Sequence, residues 1–385
     1  MSRALRVAML THSTLPRGGV VHAMSLCEAL EDLGVKTVLH APDSAGRGFF
    51  RKPRCDAIAF PVEPAPRQTA DMVEQRIDDY LRWFRRPENR DFDLYHAHDG
   101  IGGNALATLK EEGLIPAFVR TVHHLDDFAD PRLVTRQTRS IVTADALIVV
   151  SNLWRETLIA RFGREAELGG NGVDACRYSP HPAGSEAELG QHRGLGSSPM
   201  FLSVGGIEAR KNTIRILQAF VEIHRAHPAA RLVIAGGASL LDHHAYQAAF
   251  GLELTELGEG ASAVSLLGPV ADADMPGLYR LASALVFASV KEGFGLCVLE
   301  AMASGTPVVV SRIAPFVDYL DPSDALWCDP ADASSIAGAM RQSLRPDVAN
   351  CLRTRGPIVV ARFGWREVAE RHLPVYRRLR EPVHA

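Results

Sequence analysis

Short runs of continuously apolar residues recur along the whole chain, separated by amphipathic helical stretches, and no other feature limits the fold as tightly. In the first half the runs are Val7–Leu10, Thr37–His40, Leu94–His98, Phe118–Val122 and Ala146–Val150. In the second half they are Met200–Val204, Arg231–Ala235, Val264–Leu267, Ala284–Ala288 and Pro307–Val310. Continuous rather than alternating apolarity means that both faces of each strand are covered, and strand–helix alternation is the pattern of a parallel sheet wrapped by helices. The two halves open alike. The first runs strand, Gly18-Gly19 loop, helix over Val21–Leu33, strand; the second runs strand, Gly205-Gly206, loop, helix over Thr213–Ala226, strand. The expected fold is α/β, with two doubly wound domains. The chain has 385 residues, which suits two domains at about 150 residues each, or three.

Between the halves, Ser179–Ser198 is rich in Pro, Gly and Ser and has no apolar period, so it reads as the linker. That sets an N-terminal domain over 1–178, a linker over 179–198 and a C-terminal domain over 199–365. A last helical stretch, Trp365–Leu379, carries Val368, His372, Val375 and Leu379 on one stripe and could pack on either domain. Two such domains joined by a hinge are expected to bind a ligand in a cleft between the carboxyl ends of their sheets.

Composition narrows the partners. Basic and acidic residues number 42 and 45, a net charge of −3, which argues against a nucleic-acid backbone as the main partner. Six cysteines without a CxxC pair read as reduced thiols. The apolar run after Met1 is too short for a signal peptide, and no stretch reaches the length of a membrane-spanning helix. The expectation is a soluble, cytoplasmic protein.

The most informative window is Lys291–Val310. A strand ends near Ser289, a Gly-x-Gly loop follows, and a helix runs from about Leu296 to Ala303 before Gly305. A strand, a glycine loop and a helix start together present backbone N–H groups and a positive dipole end to an anion. Glu292 in the loop and Glu300 two turns along the helix suit sugar hydroxyls better than phosphate, since a carboxylate only accepts. The spacing by itself is equally that of two solvated charges.

The full run EGFGLCVLEAMASGTPVVVS resembles the donor-site motif of family 4 retaining glycosyltransferases with the two-Rossmann GT-B architecture. The stretches FDLYHAHD, VRTVHHLDDF, ADALIVVSNLWRETLIARFG, NGVDACRYSP, FLSVGGIEARKN, RLVIAGG and LLGPVADADMPGLYRLASALVFAS follow in that family's order, so the resemblance covers nearly all of residues 4–380. It implies two Rossmann-like domains, an acceptor domain followed by a nucleotide-sugar donor domain, with the helix at 366–385 returning to the first. It implies a hexosyltransferase that moves a sugar, with retention, from a nucleotide-diphosphate donor to a small-molecule, glycan or lipid acceptor. Cleft closure would keep water from competing as acceptor.

The resemblance also assigns residues. Gly18 and Gly19 match the glycine loop that closes over the donor's diphosphate, where the absence of Cβ allows close approach. His123 matches the histidine that touches the donor sugar; a one-residue shift would put its neighbour His124 there instead, since successive side chains point to opposite faces. Lys211 matches the lysine that holds the pyrophosphate. Its usual arginine partner falls at Gly206, and Arg210 in the same loop would supply the missing charge. Glu292, with the backbone of Gly293 and Phe294, would hold the transferred sugar; Gly295 and Leu296 would offer N–H groups to the phosphates; Glu300 would hold the ribose. The leaving phosphate would act as base, with no cofactor beyond the donor. Base recognition near Gly236 and Leu267–Val270 would be made by backbone groups.

No metal is expected. Asp91-Phe92-Asp93 leads into a strand, Asp272-Ala273-Asp274 reads as a helix N-cap, and His96-x-His98 shows no third ligand. The stripe of Val73, Ile77, Tyr80, Leu81 and Phe84 within Met72–Arg86, flanked by Arg76, Arg82, Arg85 and Arg86, either packs on the sheet or rests on an anionic membrane. Two rivals share the fold class. A dinucleotide-dependent oxidoreductase would need Gly-x-Gly-x-x-Gly after a first strand, a spacing this chain lacks. A non-catalytic sugar-nucleotide-binding subunit would tolerate the glycine at 206.

Overall fold

The computed structural model describes residues 3–184, 186–192, 195, 199–237 and 243–380. The chain divides into two compact units, Met1–Gly172 with Trp365–Ala385, and Val173–Gly364. In the first unit the strands are β1 (Arg6–Leu10), β2 (Lys36–Asp43), β3 (Asp56–Pro61), β4 (Leu94–Ala97), β5 (Phe118–Val122), β6 (Ala146–Val149) and β7 (Glu167–Leu168). They form one parallel sheet in the order β3-β2-β1-β4-β5-β6-β7. In the second unit, β8 (Met200–Val204), β9 (Arg231–Ala235), β10 (Val264–Gly268), β11 (Ala284–Phe287), β12 (Val308–Ser311) and β13 (Leu326–Cys328) form a parallel sheet in the order β10-β9-β8-β11-β12-β13. This is the expected pair of doubly wound domains.

The central strands are buried on both faces, as their sequence demands: Val7, Met9, Leu94, Val119, Phe201, Leu232, Val286 and Val309 are almost fully enclosed. Register in the first sheet sets Val7 opposite both Thr37 and Leu94; in the second, Phe201 lies opposite Leu232 and Ala284. Strand order reverses between β1 and β4 and again between β8 and β11. At such switch points the loops leaving the carboxyl ends of the strands diverge and leave room for a ligand. The loops in question are Thr11–Arg17 and His98–Asp99 in one unit, and Gly205–Asn212 and Ala288–Gly295 in the other.

Several expectations change. Gly18 and Gly19 are not loop residues but the first turn of a helix, Gly18–Asp32. The segment 179–198 is not a plain linker: Glu186–His192 is helical and belongs to the second unit, where Arg280 pairs with Glu186. The unit boundary falls at Gly172–Val173, and Val173 N–H already bonds to Phe363 C=O within the second unit. Residues 185, 193–194 and 196–198 of the proposed linker lie outside the described residues. The last helix, Trp365–Arg380, joins the first unit, with Val368, Ala369, Val375 and Tyr376 in the core beside Met24, Cys27 and Val7.

The stripe of the helix Thr69–Phe84 is consumed by packing rather than left for a membrane. Ile77, Tyr80, Leu81 and Phe84 are buried, and the Tyr80 hydroxyl donates to Thr11 C=O at 2.6 Å and His40 C=O at 2.9 Å. Arg76 and Arg82 pair with Asp79, and Arg85 pairs with Glu112. No helix among the described residues is long and apolar enough to cross a membrane.

Candidate functional site

In the second unit the loop after β8 is built around glycines. Gly205 and Gly206 both have positive φ, 126° and 76°, and both donate to Ala235 C=O. A Cβ on Gly206 would lie 2.7 Å from Gly237 C=O, and one on Gly236 2.8 Å from Gly206 N. Two strand-ends therefore pack backbone to backbone, and position 206 has no space for any side chain, arginine included. The loop then turns through Ala209–Lys211 to Asn212, whose φ of 62° is left-handed. The Asn212 amide donates to Ala288 C=O at 3.0 Å and Pro330 C=O at 2.7 Å, fixing that turn against the end of β11. Val290 N–H bonds to Arg210 C=O at 3.0 Å, so the two loops are tied together.

What this scaffold presents is a charge knot. Lys211 Nζ donates to Glu292 Oε2 at 2.7 Å, and Arg210 Nη1 donates to Glu292 Oε1 and Oε2 at 2.9 and 3.0 Å. Lys211 also sits 4.4 Å over the Phe287 ring. Burial pushes the Glu292 carboxyl up, but the Lys211 ammonium and the Arg210 guanidinium outweigh it and hold it at about 2. Gly293 N–H bonds to the same carboxylate at 3.1 Å. Lys211 and Glu292 are enclosed, their side chains 12% and 11% exposed, whereas Arg210 is 34% exposed. Glu208, itself buried, lies 3.7 Å from Arg210.

The helix Leu296–Ala303 begins beside this knot. Gly295 has φ 92°, and a Cβ there would meet Phe316 Cε1 at 2.6 Å. Phe294 is buried, stacked on Tyr319 with ring centroids 4.7 Å apart. The first-turn N–H groups of any helix lack intrahelical acceptors, so this one directs donors and a partial positive charge outward at its start. Glu300 accepts from the Tyr279 hydroxyl at 2.7 Å, and burial raises its carboxyl above the ordinary value despite that bond. The second half of the expected site, Arg210, Lys211, Glu292, Gly293, Phe294, Gly295, Leu296 and Glu300, is thus one continuous structure.

In the first unit Gly19 abuts His123: a Cβ on Gly19 would lie 3.4 Å from His123 Cδ2. Gly18 has open space where its Cβ would be. His123, not His124, faces this helix start; His124 is half exposed beside Asp126. His123 also joins His22 and His98, and one ring nitrogen from each of the three lies within 4.8 Å of the others. Among the described residues His96 and His98 do not share a ligand group; His98 instead groups with His22 and His123, a set the sequence reading did not consider. His96 is fully engaged by Tyr376 and Thr121, at 2.6 and 2.7 Å, and the companions of His98 come from a helix and a strand distant in sequence. Burial pushes His22 down to about 3, and holds His98 and His123 well below the ordinary histidine value.

The aspartate pairs are structural. Asp91 pairs with Arg3 and Arg6, and Asp93 accepts from Arg6 N–H at 2.8 Å. Asp272 pairs with Arg177, and Asp274 precedes the helix Met275–Leu281 without the side-chain cap bond its sequence suggests. Sequence reasoning missed Tyr279, Asn212 and His22. A left-handed asparagine and a tyrosine aimed at Glu300 carry no local signal; His22 lies three residues beyond Gly19.

Comparison with known proteins agrees with this geometry. Residues 186–351 match the family described as glycosyl transferases group 1, and residues 17–168 match the glycosyl transferase 4-like domain. The chain is 30% identical over 247 residues to O-antigen chain mannosyltransferase B of Escherichia coli, an alignment spanning 62% of each. It is 26% identical to D-inositol 3-phosphate glycosyltransferase of Corynebacterium jeikeium across 99% of this chain and 98% of that one. Among solved structures, sucrose-phosphate synthase from Thermosynechococcus elongatus superposes with a TM-score of 0.78 at 21% identity, covering 97% of this chain and 99% of that one. HepE of Anabaena with UDP-glucose superposes at 0.76 and 17% identity, covering 97% and 100%.

Proposed function

The chain belongs to the group 1 glycosyltransferases of GT-B fold, and on that footing we propose that it transfers a sugar, with retention and without a metal, from a nucleotide-diphosphate donor to an acceptor hydroxyl. The observation that carries this reading is the convergence of Lys211 and Arg210 on Glu292 at the start of the helix Leu296–Ala303. Two cations, held by Glu292 and, on the Arg210 side, by Glu208 at 3.7 Å, stand beside a helix N-terminus, and cations able to change partners there suit a leaving diphosphate whose charge grows as the glycosidic bond breaks.

In the proposed reaction the cations exchange partners. The diphosphate takes Lys211 and Arg210, and the released Glu292 carboxylate accepts hydroxyls of the transferred sugar, with Gly293 and Phe294 contributing backbone. Gly295 and Leu296 N–H groups face the phosphates, and Glu300, oriented by Tyr279, holds the ribose. The bond from the anomeric carbon to the phosphate breaks, the acceptor oxygen bonds to that carbon from the face the phosphate leaves, and the leaving phosphate oxygen takes the acceptor hydroxyl's proton. Glu292 orients rather than attacks, its released carboxylate being engaged by the sugar hydroxyls it accepts from. His123 remains the residue assigned to the donor sugar. Arg210, more exposed than Lys211, has the freedom to follow the phosphate and stands in for the arginine that position 206 cannot hold.

The test is thermal stabilisation by UDP, GDP, ADP and NAD, each with and without EDTA, followed by transfer or slow hydrolysis of the matching nucleotide sugar. HepE is solved with UDP-glucose, so the uridine arm comes first. A ligand at 100 times its Kd adds about 2.7 kcal/mol. The expected result is a shift with one nucleoside diphosphate, unchanged by EDTA and lost in Lys211→Ala. A shift with NAD alone, or donor turnover that EDTA abolishes, overturns the reading.

A further inference from the structure

The histidine group in the first unit is short of partners. His22 Nδ1 lies 2.6 Å from Asn171 Oδ1, so that nitrogen carries the proton and Nε2 is left as an acceptor. His22 Nε2 is buried with no hydrogen-bond partner; on His98 the unpartnered nitrogen is Nε2, while Nδ1 is the one that faces the cluster. His98 Nδ1 and His123 Nε2 face each other at 3.4 Å. Buried polar atoms are almost always satisfied, and a cluster of imidazoles with several unused nitrogens needs an explanation.

The geometry supplies one. Two nitrogens bound to a tetrahedral zinc at 2.0–2.1 Å stand roughly 3.3–3.4 Å apart. That is the separation of His98 Nδ1 and His123 Nε2. One ring nitrogen from each of His22, His98 and His123 lies within 4.8 Å of the others, so drawing the set to zinc spacing asks for a shift of at most about 1.5 Å. The Asn171 contact is the outer hydrogen bond that fixes a ligating histidine's tautomer and ring orientation. The three-residue group contains no carboxylate, and three imidazoles select zinc and its neighbours in the transition series over magnesium or calcium. Neutral imidazole is the form that ligates, and His123 is only half-buried, which gives an entry path.

We propose that His22, His98 and His123 form a zinc-binding site whose occupation blocks sugar transfer. The inhibitory half rests on the reading of His123 as a donor-sugar residue: a His123 imidazole bound to zinc has its lone pair engaged and is denied to the sugar. The binding half stands on the three histidines alone. Metal-independent transfer and a metal site are compatible here, because zinc removes a substrate contact instead of supplying one. His96 and His372 remain outside the ligand set: His96 is saturated, and His372, although its Nε2 is also buried without a partner, is not among the three residues whose nitrogens lie within 4.8 Å.

The experiment uses EDTA-stripped full-length protein, titrated with zinc against a chromophoric chelator and, separately, with cobalt(II). The expected result is one zinc per chain with Kd below about 1 µM, cobalt d–d bands in the visible range, and a rise in melting temperature reversed by EDTA. His22→Asn and His98→Asn should each weaken zinc at least 10-fold, while the exposed His181→Asn should not; melting curves of the apo variants confirm that they fold. If a variant fails to fold, the cobalt spectrum and stoichiometry of the wild type decide. Absence of binding at 10 µM zinc, or binding indifferent to His22 and His98, overturns the site. With donor present, zinc should inhibit the wild type at least 10-fold and spare His22→Asn. Zinc bound without inhibition would overturn the blocking role; no donor turnover in metal-free protein would instead refute the transferase reading and leave the binding result intact.

Discussion

Replacing Glu292 by glutamine keeps the volume of the side chain and removes the charge that two cations share. Burial acts to raise this carboxyl, yet Lys211 and Arg210 hold it at about 2, against 4.5 for an unperturbed glutamate. A carboxylate whose pKa is depressed in the folded state contributes stability above its unfolded value, and that contribution fades as pH falls through the folded value. With one pKa unit equivalent to 1.36 kcal/mol, the ionised group contributes about 3 kcal/mol at pH 7 and roughly half of that at pH 3. Glu292→Gln should therefore lower the stability of the second unit by about 3 kcal/mol at neutral pH, with the deficit shrinking between pH 4.5 and 2. Hydrogen exchange of the β8 and β11 amides reads this unit separately from the other. The same substitution releases Lys211 and Arg210, so nucleoside diphosphate affinity should rise several-fold even as sugar transfer falls at least 10-fold. A deficit that is equal at pH 7 and pH 3, or a nucleotide affinity that drops, would refute the exchange of partners.

Gly206→Ala forces a side chain onto a backbone with φ 76° and a Cβ into Gly237 C=O, so it should cost about 1–3 kcal/mol or more; a melting point within 1 °C of the wild type would mean the two glycine turns can separate. Tyr279→Phe removes the 2.7 Å bond to Glu300. Donor KM should rise about 3- to 10-fold with kcat nearly unchanged, whereas a purely structural tyrosine would change stability alone. Lys211→Ala should reduce kcat at least 100-fold and Arg210→Ala less, because the helix N-terminus and the remaining cation still face the leaving group; steady-state kinetics with saturating donor ranks them, and an Arg210→Ala enzyme as fast as the wild type would dismiss Arg210 as the substitute cation.

The central strands were legible because burial on both faces writes itself as a continuous apolar run, and β1, β5, β8, β9 and β12 fall within a residue of the expected limits. The helices Thr213–Ala226 and Leu296–Ala303 have the expected limits. Edge strands were not legible. β3, Asp56–Pro61, is exposed at alternate positions, and β7 spans two residues, so neither carries the run that betrays a buried strand. Gly18 and Gly19 look like a turn in sequence because glycine is a poor helix former, but the amphipathic helix they open, with Val20, Met24 and Cys27 packed in the core, overrides that preference. The helix Glu186–His192 was hidden by the surrounding Pro, Gly and Ser, and it is held by the distant Arg280 rather than by its own pattern.

Site chemistry divides along the same line. The strand, loop and helix of the Gly-x-Gly window were legible because they lie consecutively in the chain. The partners that set their charge state come from elsewhere. Lys211 and Arg210 reach Glu292 across some 80 residues, and Tyr279 reaches Glu300 from the preceding strand–helix unit. Position 206 shows the limit of reading a motif letter by letter. Viewed in sequence, glycine there is a missing cation. Viewed in the fold, Gly206 and Gly236 bring two strand-ends into backbone contact, a packing no side chain permits, and the cation we propose in its stead is Arg210, four residues later on a loop whose geometry Asn212 fixes. The replacement works only if Arg210 can leave Glu292 for phosphate, and its position at the rim, more open than Lys211, is what allows that exchange.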